Sequence, residues 1–115
     1  MAITFEGVRK IALGFEGAEE GTSYGTAAFK VRGALFVRLK EDGETLVVRV
    51  DREHRPDLLE GDPETYFITD HYLNYPWVLV RMARIHPGAL RDLLRGAWRL
   101  ASAEKRRAPR KRRTR

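Results

Sequence analysis

The segment FKVRGALFVRLKEDGETLVVRVD, residues 29–51, contains three runs in which apolar and polar side chains alternate. Alternation with a period of two is typical of β-strands that bury one face. A short turn at 32–34 separates the first two runs, and the turn EDGE at 41–44 separates the second from the third. The segment therefore predicts three consecutive antiparallel strands joined by tight hairpins.

The flanking sequence extends this segment to the order α-β-β-β-α-β-β-α. The period changes to that of an amphipathic helix at both ends of the chain, where Thr4 provides an N-cap and Pro87 a helix start. The predicted elements are helices at 4–14, at 52–60 and from after Pro87 to residue 103, a glycine-rich loop at 16–26, and further strands at 65–69 and 76–84. The fold predicted is an α+β two-layer sandwich, with a largely antiparallel five-stranded sheet and helices on one face.

The chain has 115 residues and a formal net charge of +6, which is unevenly distributed. Eight basic residues lie in the last eleven positions, so residues 1–104 hold 14 Lys and Arg against 16 Asp and Glu. We therefore predict one folded domain at residues 1–103, close to neutral, followed by a basic tail at 104–115. The tail has almost no apolar residue and is predicted to be disordered when free.

The composition excludes several classes of protein. The chain has no cysteine, so it has neither a disulfide scaffold nor a thiolate metal site, which favours a cytoplasmic location. No window approaches the roughly 18 apolar residues of a membrane helix, and the N-terminus does not resemble a signal peptide. We expect a soluble protein without a membrane partner.

The alternation places a row of cations on one side of the predicted sheet. Because successive side chains point to opposite faces, the apolar set should face the helices and the intervening residues should emerge on the other side. Predicted inward are Phe29, Val31, Leu35, Val37, Leu39, Leu46, Val48 and Val50; predicted outward are Lys30, Arg32, Phe36, Arg38, Lys40, Val47 and Arg49. Arg81 and Trp77 join the outward set from the last strand.

This outward set predicts a surface for nucleic acid. Lysine and arginine bind phosphate oxygens, and an aromatic ring such as Trp77 can stack on a base. Two other interpretations remain open: the cations simply solvate an open antiparallel face, or the apolar members of the set pair this face with a second copy of the chain.

The basic tail predicts a second element that binds polyanions without reading sequence. It lacks the apolar residues that would anchor it in a bilayer, so we favour nucleic acid over a membrane surface. The alternative is a solubilising extension. The tail residues predicted to bind nucleic acid are Lys105, Arg106, Arg107, Arg110, Lys111, Arg112 and Arg113.

Several segments together resemble the MmcQ/YjbR-like family of small bacterial proteins. The resemblance lies in Tyr24, Gly25, Phe29, Val31 and Gly33 of the YGTAAFKVRG segment, in the Trp-Val start of the fifth predicted strand, and in LRGAWRLA near the C-terminus. It implies a fold similar to the type III secretion chaperones and to frataxin-like proteins. It also implies a DNA-binding role, with no catalytic residues to assign.

Candidate catalytic and metal sites are weaker than the basic surface. His54, His71 and His86 lack the spacing of helical metal ligands, and a loop pair such as Asp70 and His71 is more typical of surface groups than of a general base. Three carboxylates in the first loop, those of Glu16, Glu19 and Glu20, resemble a frataxin-like metal surface but are expected to be solvated. Tyr24 and Trp98 are predicted to belong to the core or its edge.

The sequence thus predicts a non-enzymatic protein that binds DNA or RNA electrostatically, with no cofactor and no evident small-molecule substrate. The alternative is a protein-interaction module that resembles the secretion chaperones, in which the open sheet face or a helix surface holds a partner protein or a second copy of the chain. A metal carrier or enzyme that uses Asp70, His71 and the acidic loop is a third, less favoured prediction.

Overall fold

The computed structural model describes the backbone of residues 3–113 and the side chains of residues 3–104. The side chains of the basic tail beyond Glu104 lie outside the described residues, and the predicted disorder of the tail stays a prediction. The elements are α1 (Phe5–Leu13), β1 (Ala18–Ser23), β2 (Thr26–Val31), β3 (Ala34–Leu39), β4 (Thr45–Arg49), α2 (Arg55–Gly61), β5 (Tyr66–Phe67), a 3₁₀ turn (Asp70–Tyr72), β6 (Trp77–Arg81) and α3 (Pro87–Arg113).

The strands form one antiparallel sheet in the order β1-β2-β3-β4-β6-β5. Helices α1 and α3 pack on one face and enclose the core, which confirms the predicted α+β sandwich. We call the opposite face the outer face. The buried core side chains include Val8, Phe29, Val31, Phe36, Val37, Leu46, Val48, Val78, Val80, Ile85, Leu90 and Leu94.

The sheet has six strands, because the loop predicted at 16–26 is wrong. Residues Ala18–Ser23 form the edge strand β1, which pairs with β2 along its whole length. Most of its side chains are exposed, so it owes its place to backbone pairing with β2 and not to an apolar side. Glutamate, glycine and serine in an exposed edge strand give the same composition as a loop, which explains the error.

Two tight turns connect the first three strands. Tyr24 and Gly25 link β1 to β2, and Arg32 and Gly33 link β2 to β3; all four residues have φ between 54° and 85°. Positive φ at both central residues suits the two-residue turns that match the twist of antiparallel strands. The turn predicted at 32–34 is confirmed, while the turn at Tyr24 places a bulky side chain in a conformation that glycine or asparagine usually occupies.

A β-bulge in β3 changes which side chains face the core. Val37 pairs with Phe29, but Leu35 pairs with Lys30, so the β3 side of this interval holds one residue more than the β2 side. Phe36 is consequently turned inward and is 0% exposed, whereas Leu35 lies half-buried on the outer face. The predicted outward position of Phe36 and inward position of Leu35 are therefore wrong, because a bulge interrupts strict alternation.

Local signals in the sequence locate the helices well. The side chain of Thr4 accepts a hydrogen bond from the backbone N–H of Gly7 at 3.3 Å, as an N-cap does. Pro56 lies in the first turn of α2, where its missing N–H costs no helical hydrogen bond. The helix predicted at 52–60 begins three residues later than expected, at Arg55.

Candidate binding surfaces

Arg38 was predicted to be an exposed cation, but its side chain is buried on the outer face and only 6% exposed. Its Nη2 donates a hydrogen bond to the hydroxyl of Tyr72 at 3.1 Å, and its Nη1 donates to Thr26 Oγ1 and to the Leu39 carbonyl, both at 3.3 Å. The guanidinium also lies 5.0 Å from the ring centre of Tyr24. Arg38 therefore links strands β2 and β3 to the 3₁₀ turn at Asp70–Tyr72 instead of projecting into solvent.

Two further cations of the predicted row are held by neighbouring groups. Arg49 forms an ion pair with Glu104 of α3 and lies 5.9 Å from the Trp77 ring centre. Arg81 lies 4.0 Å over the ring of Phe67, and its Nη1 donates to the carbonyl of Glu64 at 3.1 Å. Intramolecular contacts of this kind reduce the number of charges that can meet a phosphate.

The remaining cations of the row lie at the margins of the outer face. Lys30 is half-exposed and pairs across strands with Glu19 of β1, a carboxylate that the predicted loop had placed elsewhere. Arg32 is exposed in the second hairpin turn, and Lys40 Nζ lies 3.8 Å from Glu41. The structure therefore does not assemble the six predicted cations into one continuous surface.

A cavity of about 630 Å³ occupies the middle of the outer face. The strands β3 and β4 contribute Leu35, Arg38 and Val47, and the connection from β5 to β6 covers one side. Aromatic side chains dominate its lining, which also carries two cations and one carboxylate. The lining residues are Tyr24, Leu35, Arg38, Lys40, Glu41, Val47, Thr69, His71, Tyr72, Tyr75 and Trp77. The outer face, which was predicted to be open, is therefore partly covered by the connection from β5 to β6.

Arg55 holds the connection from β5 to β6 in place. It is 7% exposed, and its guanidinium donates to the carbonyls of Tyr72, Leu73, Tyr75 and Trp77 at 2.6 to 3.2 Å. Burial, and then the neighbouring charge of Arg52, lowers the pKa of Arg55 from its ordinary value. One planar donor group on α2 thereby binds three carbonyls of an irregular segment and the carbonyl of Trp77 at the start of β6.

Of the two aromatic residues predicted to lie in the core or at its edge, Trp98 does and Tyr24 does not. Trp98 is half-buried, stacks on Phe15 with ring centres 5.6 Å apart, and donates from Nε1 to the Glu16 carbonyl at 2.9 Å, so its core-edge position is confirmed. Tyr24 is 80% exposed, which makes its predicted core position wrong. Because it lies in a hairpin turn, its ring reaches the mouth of the cavity instead.

Helix α3 carries a row of cations that the sequence analysis did not single out. Arg91, Arg95 and Arg99 recur every four residues, which places them on one side of the helix, and all three are exposed. None of them forms a salt bridge or side-chain hydrogen bond with another described residue. We call these three residues the arginine stripe; the i, i+4 repeat in LRDLLRGAWR was the signal that could have found it.

The histidines and acidic residues do not form a metal site within the described residues. Of the three carboxylates in the predicted loop, Glu20 accepts two hydrogen bonds from Arg9 at 2.8 and 2.9 Å. These bonds hold the pKa of Glu20 below its usual value. His71 lies against Tyr72 and Tyr75 at the cavity, and no hydrogen bond joins it to Asp70 in the described part of the chain.

Among the helices described between residues 3 and 113, none has the length and apolar content required to cross a membrane.

The order of elements, the antiparallel sheet and the one-sided helices define a small α+β sandwich with a partly covered outer face. The chain belongs to the YjbR family, whose model matches residues 13–100. A crystal structure of a Deinococcus radiodurans protein with a DUF419 domain has a similar fold, with a TM-score of 0.72 and 23% identity over 84% of this chain and 77% of that one.

Curated relatives include uncharacterized proteins of Mycobacterium bovis and Mycobacterium tuberculosis. Each is 40% identical over 57 residues, which is 49% of this chain. The match spans 44% of the length of each relative. The match to the family model confirms the family resemblance recognised in the sequence. Since these relatives are uncharacterized, a function for the chain has to be argued from its own residues.

Proposed function

We propose that the protein is a non-enzymatic, electrostatic nucleic-acid-binding protein whose contact surface is the arginine stripe of α3 together with the basic tail. The observation that carries the proposal is the exposure of Arg91, Arg95 and Arg99, spaced for one side of a helix and without an acidic partner among the described residues. Exposed guanidinium groups in a row suit the regularly spaced phosphates of a nucleic-acid backbone.

The charges around the stripe support this assignment. Residues 87–104 of α3 carry two acids, Asp92 and Glu104, and Glu104 is engaged by Arg49. Immediately after Glu104, the sequence adds eight basic residues in eleven positions. The stripe and the tail therefore concentrate positive charge toward one end of a domain that is otherwise close to neutral.

The cations of the sheet contribute less to this proposal than the sequence predicted. Arg38 lies at the base of the cavity and Arg49 is paired with Glu104, so neither guanidinium projects from the outer face toward a nucleic-acid duplex. The alternative contact surface for nucleic acid lies on the side of the sheet opposite to α3. It consists of the cations that stay at least partly exposed there, Lys30, Arg32 and Lys40.

The test is fluorescence anisotropy of a labelled DNA duplex titrated with protein at several salt concentrations. Three proteins are compared with the full chain: a triple variant with Arg91→Gln, Arg95→Gln and Arg99→Gln, a chain that ends at Glu104, and a matched triple variant with Lys30→Gln, Arg32→Gln and Lys40→Gln. Both triple variants remove three exposed or half-exposed cations, so they change the net charge equally.

We expect the stripe variant to bind more weakly and to reduce the slope of log affinity against log salt by about 0.9 for each lost phosphate contact. The truncated chain should bind more weakly still, and the sheet variant should match the full chain. If the sheet variant loses more affinity for the duplex than the stripe variant, the nucleic-acid site lies on the outer face. If the full chain does not bind the duplex at low salt, nucleic-acid binding is ruled out.

A second candidate, a protein-interaction module, is favoured by a groove between α2 and α3. The groove has a volume of about 530 Å³ and a mainly apolar lining that includes Leu58, Leu93, Leu100 and Ala103. Apolar surface of this kind is typical of sites that receive another protein. Light scattering across a concentration series would detect self-association, and Leu93→Glu should abolish any dimer that uses this groove.

A further inference from the structure

The cavity on the outer face combines three features that the proposed function does not use. It is covered on one side by the connection from β5 to β6, five of its eleven lining residues carry aromatic rings, and a buried guanidinium lies at its base. Its volume of about 630 Å³ is in the range of small-ligand sites, which are mostly apolar with a few fixed polar groups. We propose that this cavity binds a small planar aromatic carboxylate, with the carboxylate on Arg38 and the ring among the aromatic side chains.

The charges of the lining favour a ligand with one negative charge. Arg38 and Lys40 contribute two cations and Glu41 contributes one carboxylate, so these three side chains sum to a single positive charge. Glu41 lies 3.6 Å from Arg38 and is 57% exposed at its side chain, so it faces solvent more than the cavity base. A monoanion would neutralise the remaining charge beside a guanidinium that is only 6% exposed.

Arg38 retains hydrogen-bonding capacity for such a ligand. A guanidinium carries five N–H donors, and the hydrogen bonds of Arg38 within the described residues involve Nη1 and one N–H of Nη2. Its Nε–H and the second Nη2 N–H have no acceptor there. Because a carboxylate can accept two parallel N–H bonds from one guanidinium, its oxygens match the free donors.

Hydrogen bonds hold the backbone that carries three of the aromatic side chains of the cavity. Arg55 holds the backbone of the segment that carries Tyr72, Tyr75 and Trp77 through four hydrogen bonds. On the other side, Tyr24 occupies a backbone conformation with φ of 56°, unusual for a bulky residue. Its ring remains 80% exposed beside the Arg38 guanidinium. Aromatic rings around a cation are suited to stack on a planar ligand.

The inference is independent of the proposed nucleic-acid function, since the cavity lies on the outer face and α3 packs against the other face of the sheet. The probe is 2-naphthoate, titrated into the full chain labelled with ¹⁵N. The chain has two tryptophans, and their indole N–H signals separate the two sides of the sheet: Trp77 lines the cavity, and Trp98 packs on Phe15.

We expect a saturable shift of the Trp77 indole signal and none of the Trp98 signal. The neutral 2-naphthalenemethanol should bind about tenfold more weakly or worse, because it lacks the charge that Arg38 recognises. Cyclohexanecarboxylate has the charge without the aromatic ring and should also bind more weakly. Equal binding of the neutral alcohol, equal shifts of both indoles, or no saturation by about 5 mM naphthoate would overturn the proposal.

Two variants locate the interaction without depending on one buried residue. Tyr75→Ala removes a ring that is exposed in the free protein and should weaken naphthoate binding several-fold while leaving the fold intact. Arg38→Gln should remove the preference for naphthoate over the alcohol. Should that variant fail to fold, Lys40→Gln tests the charge preference at the cavity rim, where a twofold or larger loss is expected. Unchanged binding by both Tyr75→Ala and Lys40→Gln would contradict the site.

Discussion

Nη2 of Arg38 on β3 donates a hydrogen bond to the hydroxyl of Tyr72 at 3.1 Å, across 34 positions of sequence. This contact ties the middle of the sheet to the connection between β5 and β6. Arg55 completes the arrangement from α2 by binding four carbonyls of the same connection. Two buried arginines, one on each side of the segment, therefore build the covered part of the outer face.

Removal of the Tyr72 hydroxyl tests the first of these contacts. We expect Tyr72→Phe to lower the free energy of unfolding by about 1 kcal/mol or more, because a buried guanidinium loses an acceptor. Urea denaturation followed by tryptophan fluorescence measures the change. Tyr75→Phe is the matched control: its hydroxyl makes no hydrogen bond with the described residues, so its unfolding midpoint should stay close to that of the parent chain.

Replacement of Arg55 tests the second contact. Arg55→Lys keeps the charge but cannot present a planar set of donors to four carbonyls, so we expect a loss of about 2 kcal/mol or more in unfolding free energy. Arg55→Met, which leaves all four carbonyls without the guanidinium, should cost more. The exposed Arg52→Lys serves as a control that should lie within about 0.5 kcal/mol of the parent. Equal midpoints for both lysine variants would show that the hydrogen bonds to the carbonyls contribute little.

The second hairpin turn allows a gain in stability. Arg32 and Gly33 both have positive φ, and asparagine tolerates that conformation better than arginine. Arg32→Asn should therefore raise the unfolding free energy by about 0.5 kcal/mol, and Gly33→Ala should lower it by about 1 kcal/mol. Thermal unfolding monitored by circular dichroism measures both. A stabilising effect of Gly33→Ala would be incompatible with the positive φ at this residue.

The ion pair between Arg9 and Glu20 predicts a specific pH dependence. The hydrogen bonds from Arg9 lower the pKa of Glu20 in the folded state, so the carboxylate stabilises the fold above its unfolded pKa of about 4.3. That contribution is lost as the pH falls from there through the lower folded pKa. The melting temperature of Glu20→Gln should therefore lie below that of the parent at pH 7, and the gap should narrow progressively as the pH falls below about 4.3.

Glu19→Gln is the control for this pH dependence, since Glu19 lies on the opposite face of β1 and does not contact Arg9 by a described salt bridge. Its melting temperature should follow that of the parent chain across the titration. The effect of Glu20→Gln should remain small because both partners are partly exposed to solvent and salt. A gap that widens in acid would contradict the assigned direction of the pKa shift.

The sequence reveals a site residue when local spacing sets its position, and conceals it when its contacts lie far away in the sequence. The i, i+4 repeat of Arg91, Arg95 and Arg99 was readable in advance, since helical spacing alone places the three on one side. The burial of Arg38 could not be predicted in this way. Its charge suggested an exposed position, but Tyr72 and Thr26 supply acceptors that only the folded chain brings to it. A cation in an alternating strand looks the same in sequence whether a loop covers it or not.

The sequence by itself determined the fold class, the three hairpin-joined strands at 29–51, the helix starts at Thr4 and Pro87, and the family. These features depend on local periodicity, caps and turns, which act over a few residues. Only the tertiary structure decided the edge strand β1, the bulge that turns Phe36 inward, and the aromatic cavity over Arg38. Each of these depends on pairing or packing between distant segments, where the energy of the contact, and not the local pattern, sets the position of the side chain.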